Sequence, residues 1–233
     1  MQIQDDLAFW LNQDREHNLF FMLGLQDAGL KREAERLYQA YDAALRRGDL
    51  AMALSIVPMS QAFKRAALAQ LSPPWAAGKA GYIWPSFIDH TAREIDMMIA
   101  RAQGRTTSRQ EICFGDRMLA EHAAFASSLL DPVRQRDLAN TALAASAGVQ
   151  VLTNQCERET MGTLVLLSKK AQDTLDGFLH DPKIANGSAI HPVLADHVIR
   201  EGRRFGSFLS SVPNDETATS VAVYGPSEAR ARR

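Results

Sequence analysis

A chain of 233 residues, 46% hydrophobic and 23% charged, has enough apolar material for one or two globular domains with real cores. Its net charge of −1 excludes a strongly basic nucleic-acid surface and a polyacidic tail as its main business. Aromatic residues make up only 7%, alanine is abundant, and glycine and proline are sparse, so composition favours helix over sheet.

Helical periodicity begins over 5–28, where Asp5 or Asp6 can cap the start and Gly29 follows the end. A second amphipathic helix over 31–47 is stopped by Gly48, and Asp49 can cap a third that runs to about Leu71, with a kink expected at Pro58. Residues 72–81 are a breaker segment, after which a fourth helix starts near Pro85 and ends at Gly104. The pattern then restarts. Ser108-x-x-Glu111 reads as a capping box for a helix to about Leu130, and Asp131-Pro132 as an N-cap followed by proline at the first helical position. Helical sequence continues to about Leu179, as two helices divided near Gly148. A loop over 181–188 precedes a last helix near 190–211, and 212–233 lack periodicity and read as a mobile tail. The expectation is an all-α chain of two tandem four-helix units, 1–104 and 105–211, followed by that tail.

No segment reaches the roughly 18 apolar residues of a membrane span, and acids stand where a signal peptide would carry bases. Cys113 and Cys156 read as small buried hydrophobes in a reducing compartment, which makes cytoplasmic the default location. No phosphate loop, nucleophile elbow or HExxH motif is present.

The second half echoes the first. Glu16-His17-Asn18-Leu19-Phe20 recurs as Glu121-His122-Ala123-Ala124-Phe125, and Pro85…Asp89-His90…Arg93-Glu94 recurs as Pro192…Asp196-His197…Arg200-Glu201. The two matches are collinear and nearly equally offset, and they take up four of the six histidines. Ile83, Phe87, His90, Glu94 and Met97 lie on one helical seam, as do Ile190, Leu194, His197, Glu201 and Phe208, so His and Glu occupy places where Leu or Ile would be expected. Glu16 and Glu121 likewise sit in apolar stripes.

Buried carboxylates must be neutralised, paired or metal-bound. His and Glu at i and i+4 can converge on one ion, and a Glu from a neighbouring helix completes a mixed N/O set suited to Fe, Mn or Zn rather than Ca or Mg. Glu16, His90, Glu94, Glu121, His197 and Glu201 are therefore the preferred ligands. His17 and His122, about 100° round the helix from their glutamates, are the weaker candidates, with an orienting role as the alternative. Asp89–Arg93 and Asp196–Arg200 read as helix-face ion pairs, His191 as a helix-start residue, and His180 as an exposed residue near a helix C-terminus.

On the E-H-x-x-F and later H-x-x-x-E motifs, the chain over 5–211 resembles the ferritin-like metal-carboxylate bundles. It is most similar to an uncharacterised bacterial family of duplicated ferritin-like four-helix units. The resemblance implies up-down bundles related by internal duplication and a metal site built from the motif residues. The Glu-xx-His spacing of di-iron ferritin-like sites is absent, and the His-xxx-Glu order is closer to a hemerythrin-like pattern without its full histidine set. The functional expectation is a metal-binding bundle holding Fe or Mn, with Zn as the alternative metal, serving oxidative non-haem chemistry, storage or sensing. Its partner is a metal ion rather than nucleic acid or membrane, with a small-molecule or protein partner and a homo-oligomer left open. The rival is a helical interaction scaffold whose Glu–His pairs only specify packing.

Overall fold

Capping and glycine stops divide the chain into helices much as the periodicity predicts. The structure, a computed structural model, describes residues 2–73, 78, 81–131, 133–181 and 190–212. The first four helices are α1 (Gln2–Gly24), α2 (Ala28–Arg46), α3 (Leu50–Leu71) and α4 (Pro85–Ala102). The next four are α5 (Ser108–Ser128), α6 (Arg136–Gln155), α7 (Met161–Leu179) and α8 (Pro192–Ser211). No strand occurs among the described residues. Asp27 accepts from the backbone N–H of Gly29 and Leu30, Asp49 from that of Met52 and Thr160 from that of Thr163, which satisfies N–H groups the helix leaves open. Gly48 and Gly104, with φ of 68° and 63°, take the left-handed conformation that ends α2 and α4.

Several local expectations are corrected. The capping box of α5 is Thr107 with Gln110, one residue earlier than Ser108 and Glu111; Glu111 accepts instead from Thr106 Oγ1 at 2.6 Å. Asp131 caps a turn, accepting from the N–H of Val133 and Arg134, so α6 starts only at Arg136; Pro132 lies outside the described residues. Gly148 does not divide the helices: it sits on the exposed side of α6, where a glycine weakens a helix by about 1 kcal/mol without breaking it. The break falls at 156–160. Pro58 lies within α3 on its exposed side, where water can satisfy the carbonyl that loses its partner. The loop at 181–188 and the tail at 212–233 fall, but for Asp181 and Val212, outside the described residues.

The contacts divide the chain between Arg105 and Thr106 into two units. Both units pack in the same way. The first helix touches the other three, the second touches the third, and the third touches the fourth. In the first unit Leu11, Phe21, Leu37, Tyr41, Phe63 and Ile88 form the interior, with Phe21 edge-on to both Phe63 and Phe87. In the second, Ile112, Leu152, Leu164 and Leu209 form one cluster, and Leu119, Ala123, Val149 and Leu175 another. Gly115 has a packing role: a Cβ there would run into the ring of Phe205, so the glycine lets α8 lie close against α5.

The expectation that Cys113 and Cys156 are separate reduced thiols is overturned. Their Cα atoms are 5.7 Å apart and the sulfurs are bonded, tying α5 to the end of α6 beside the Ile112 cluster. Nothing in their separation of 43 residues signals the pairing, because only the antiparallel return of α6 brings the two together. Closing a loop of that length restricts the unfolded chain, so reduction or Cys113→Ala should lower the stability of the second unit by about 2–4 kcal/mol. Denaturant unfolding with and without reductant measures this; coincident curves would show that the cross-link contributes nothing.

Candidate metal centre

The seam residues do what their pattern demands. In the first unit α1 presents His17 and α4 presents His90 and Glu94, all buried. The two histidines flank one carboxylate: His17 Nε2 lies 3.0 Å from Glu94 Oε2, and His90 Nε2 lies 3.3 Å from Glu94 Oε1. Phe87, one turn before His90, stacks on its ring at 6.2 Å between centroids and 13° between planes, which restricts the imidazole's rotation.

The second unit repeats the His–Glu–His arrangement, with Leu194 at the position of Phe87. His122 on α5 and His197 and Glu201 on α8 are buried. His122 Nε2 lies 3.3 Å from Glu201 Oε2, and His197 Nε2 lies 3.3 Å from Glu201 Oε1. Ligand-capable atoms of His90 and Glu94 lie within 4.8 Å of one another, and so do those of His197 and Glu201. Among the described residues, His17, His90, Glu94, His122, His197 and Glu201 make up buried His/Glu clusters that could hold a metal ion.

Burial pushes the Glu94 carboxyl up, but the His90 and His17 imidazoles outweigh it and hold the group well below the usual carboxylate range. Glu94 therefore stays ionised, the state a metal ligand needs.

Glu16 and Glu121 stand one residue away and turn about 100° round their helices. Glu16 accepts from Asn12 Nδ2 at 3.0 Å and lies 3.6 Å from an Arg15 guanidinium nitrogen. Glu121 pairs with Arg117 Nε at 3.0 Å and is partly exposed. The sequence reading preferred these glutamates to His17 and His122, but the side chains that close on Glu94 and Glu201 are the histidines. Asp89–Arg93 and Asp196–Arg200 form the expected i,i+4 pairs at 2.8 and 2.7 Å. His191 caps α8, its Nδ1 accepting from Val193 N, and His180 ends α7 half-exposed, with Nδ1 2.7 Å from the Asp176 carbonyl.

Buried charged side chains that the sequence does not single out are Lys64, Asp14 and Asp116. In the first unit Lys64 on α3 is completely buried, with Nζ 2.7 Å from Asp14 Oδ1. Asp14 also accepts from Tyr41 Oη at 2.5 Å and Ser60 Oγ at 3.1 Å. In the second unit Asp116 is buried and accepts from Ser168 Oγ at 2.8 Å, while its other oxygen has no hydrogen-bond partner. A seam signal was available for two of them. Lys64 belongs to the 3,4 series Val57, Ser60, Lys64, Ala67 and Leu71, and Asp14 to Leu11, Asp14, Asn18, Phe21 and Leu25, every member of which is buried.

No protein-family model matches the sequence, and no curated protein does. Among solved structures, the crystal structure of an uncharacterized protein from Bacillus cereus G9241 is similar, with 18% identity, 88% of each chain covered and a TM-score of 0.76. At that identity the likeness is one of fold.

Burial lifts the Asp116 carboxyl to about 7, and the Ser168 hydrogen bond only partly opposes it. The unfolded chain loses this proton near pH 4 and the folded one near 7, so the folded state binds more protons between those values. Stability should therefore fall as pH rises from about 4 to 7, by at most about 4 kcal/mol, and then level off. Asp116→Asn should remove that slope. Urea midpoints at pH 4.5 and 7.5 measure it, and an unchanged slope in the variant would assign the effect to other groups.

Proposed function

We propose that the protein binds divalent transition metal through the buried residues His17, His90, Glu94, His122, His197 and Glu201. The observation that carries this reading is the repeated buried carboxylate flanked by two imidazoles. A single His–Glu pair is ordinary helix chemistry, but the same three-residue set at the same helical positions in both units is not explained by packing alone. Two nitrogens and one carboxylate suit iron or manganese, with zinc as the alternative, and disfavour calcium and magnesium. A set of this kind leaves coordination positions for an outside molecule, so the reading extends to oxidative non-haem chemistry. Phe87 would hold the His90 ring in place for such a metal, and the buried seam would keep bulk water from the donors. Kinship with the duplicated ferritin-like bundles belongs to the same proposal, supported by the paired motifs and the common helix packing of the two units. So does a cytoplasmic location, against which the Cys113–Cys156 bond is the contrary observation; among the described residues, no helix is long and apolar enough to cross a membrane.

The scaffold reading has one observation in its favour: two imidazoles already answer the Glu94 charge. Elemental analysis of purified protein expressed with iron, manganese and zinc separates the two. About two equivalents of iron or manganese per chain are expected, with about one in Glu94→Gln or Glu201→Gln and none in the double variant. Full metal content in the double variant would refute the ligand assignment. No metal in the wild-type chain, with Glu94→Leu and Glu201→Leu more stable than wild type, would establish the scaffold.

A further inference from the structure

We propose that the outer face of α6 is a docking surface for a second copy of this chain, laid antiparallel across a two-fold axis at Ala147. The inward side of α6 carries Ala142, Val149 and Leu152, all buried. Its outward side carries Leu143 and Val151, 57% and 54% exposed. Among the described residues these two, with Leu166 and Leu167 of α7, are the exposed large hydrophobics of the second unit apart from Val133. From Leu138 to Gln155 the helix has no charged residue, although a surface helix ordinarily turns its charges outward. The matching helix of the first unit, α2, does so with Lys31, Arg32, Glu35, Arg36 and Arg46. Gly148 stands beside the same face, and a Cβ there would meet nothing within 4 Å among the described residues. Packing within the chain gives no reason for a residue that weakens the helix, whereas close approach of a second backbone does.

The order of residues on the face singles out a second copy as the occupant. Asn140 and Asn154 stand seven residues either side of Ala147, Leu143 and Val151 stand four either side, and all five are exposed. Steps of seven and four keep them on one stripe of the helix. A two-fold contact sets the same surface against itself, and an antiparallel one needs a face that reads alike in both directions. Here Ala147 meets its own copy, each leucine meets a valine, and each Asn140 meets an Asn154 whose amide can bond to it. An unlike partner would impose no such symmetry. The small side chain on the axis lets the two helices come close. At either end the face closes on an acid and a base, Arg136 with Asp137 and Glu157 with Arg158, so the copies meet there without net like charge. A face about 30 Å long and one or two helices wide lies at the small end of specific interfaces, which sets the expected affinity in the micromolar range.

Sedimentation equilibrium of the full-length chain tests the proposal, with a reversible monomer–dimer equilibrium expected between about 1 and 100 µM. Ala147→Glu and Ala147→Lys each place like charges on the axis, at a position exposed in the single chain. Each should keep the wild-type circular dichroism and weaken association by about a hundredfold or more. An equimolar mixture of the two variants should dimerise again, because opposite charges then face each other across the axis. Variants that each dimerise as wild type does would place the contact elsewhere and overturn the proposal. So would a mixture that associates no better than its components. A wild-type chain that stays monomeric over this range would overturn it even where a variant does not fold, and would leave the face to an unlike partner or to another segment of the chain.

Discussion

A carboxylate removed from water between packed helices must be met by opposite charge, hydrogen bonds or a metal, because an unanswered buried charge costs several kcal/mol. Glu94 and Glu201 impose that constraint, and much of each unit is arranged around it. Each needs an imidazole from its own helix one turn earlier, supplied by His90 and His197, and a second from the first helix of the unit, supplied by His17 and His122. The contact across helices is possible only where the backbones run close. Gly115 provides for this in the second unit by making room for Phe205, and the ring of Phe87 steadies His90 in the first.

The two units share their order of helices, the pattern in which those helices pack and the geometry of the His–Glu–His cluster. They differ in the layer behind it. The first buries an ion pair, Lys64 with Asp14, stiffened by Tyr41 and Ser60. The second buries an acid that burial keeps protonated to about pH 7, bonded to a serine, and adds a covalent tie between Cys113 and Cys156. An ion pair held by several hydrogen bonds keeps its charges in place, whereas a neutral acid contributes almost no field. The matching His–Glu–His clusters thus sit in different electrostatic surroundings.

How far all this could be read in advance depends on the range of the interaction concerned. Caps and stops are local: Asp27, Asp49, Gly48 and Gly104 act through neighbours a few residues away, and most of the helix boundaries follow from such signals within a few residues. Where local signals competed, as at Asp131 and Gly148, the outcome turned on a side chain spent on a turn and on a glycine facing water. Burial of His90, Glu94, His197 and Glu201 was legible because a seam of period 3.5 marks its own positions.

The amino-acid pattern by itself determined the all-helical class, the seams and the repeated His and Glu, since all three depend on spacing along one helix. Only the tertiary structure decided that His17 and His122, rather than Glu16 and Glu121, close on those carboxylates. Neighbouring residues on a helix point about 100° apart, and which of them faces the partner helix is fixed by packing rather than by spacing. The Cys113–Cys156 bond and the Lys64–His17 contact belong to the same class, for they join residues from helices that meet only once the chain has folded.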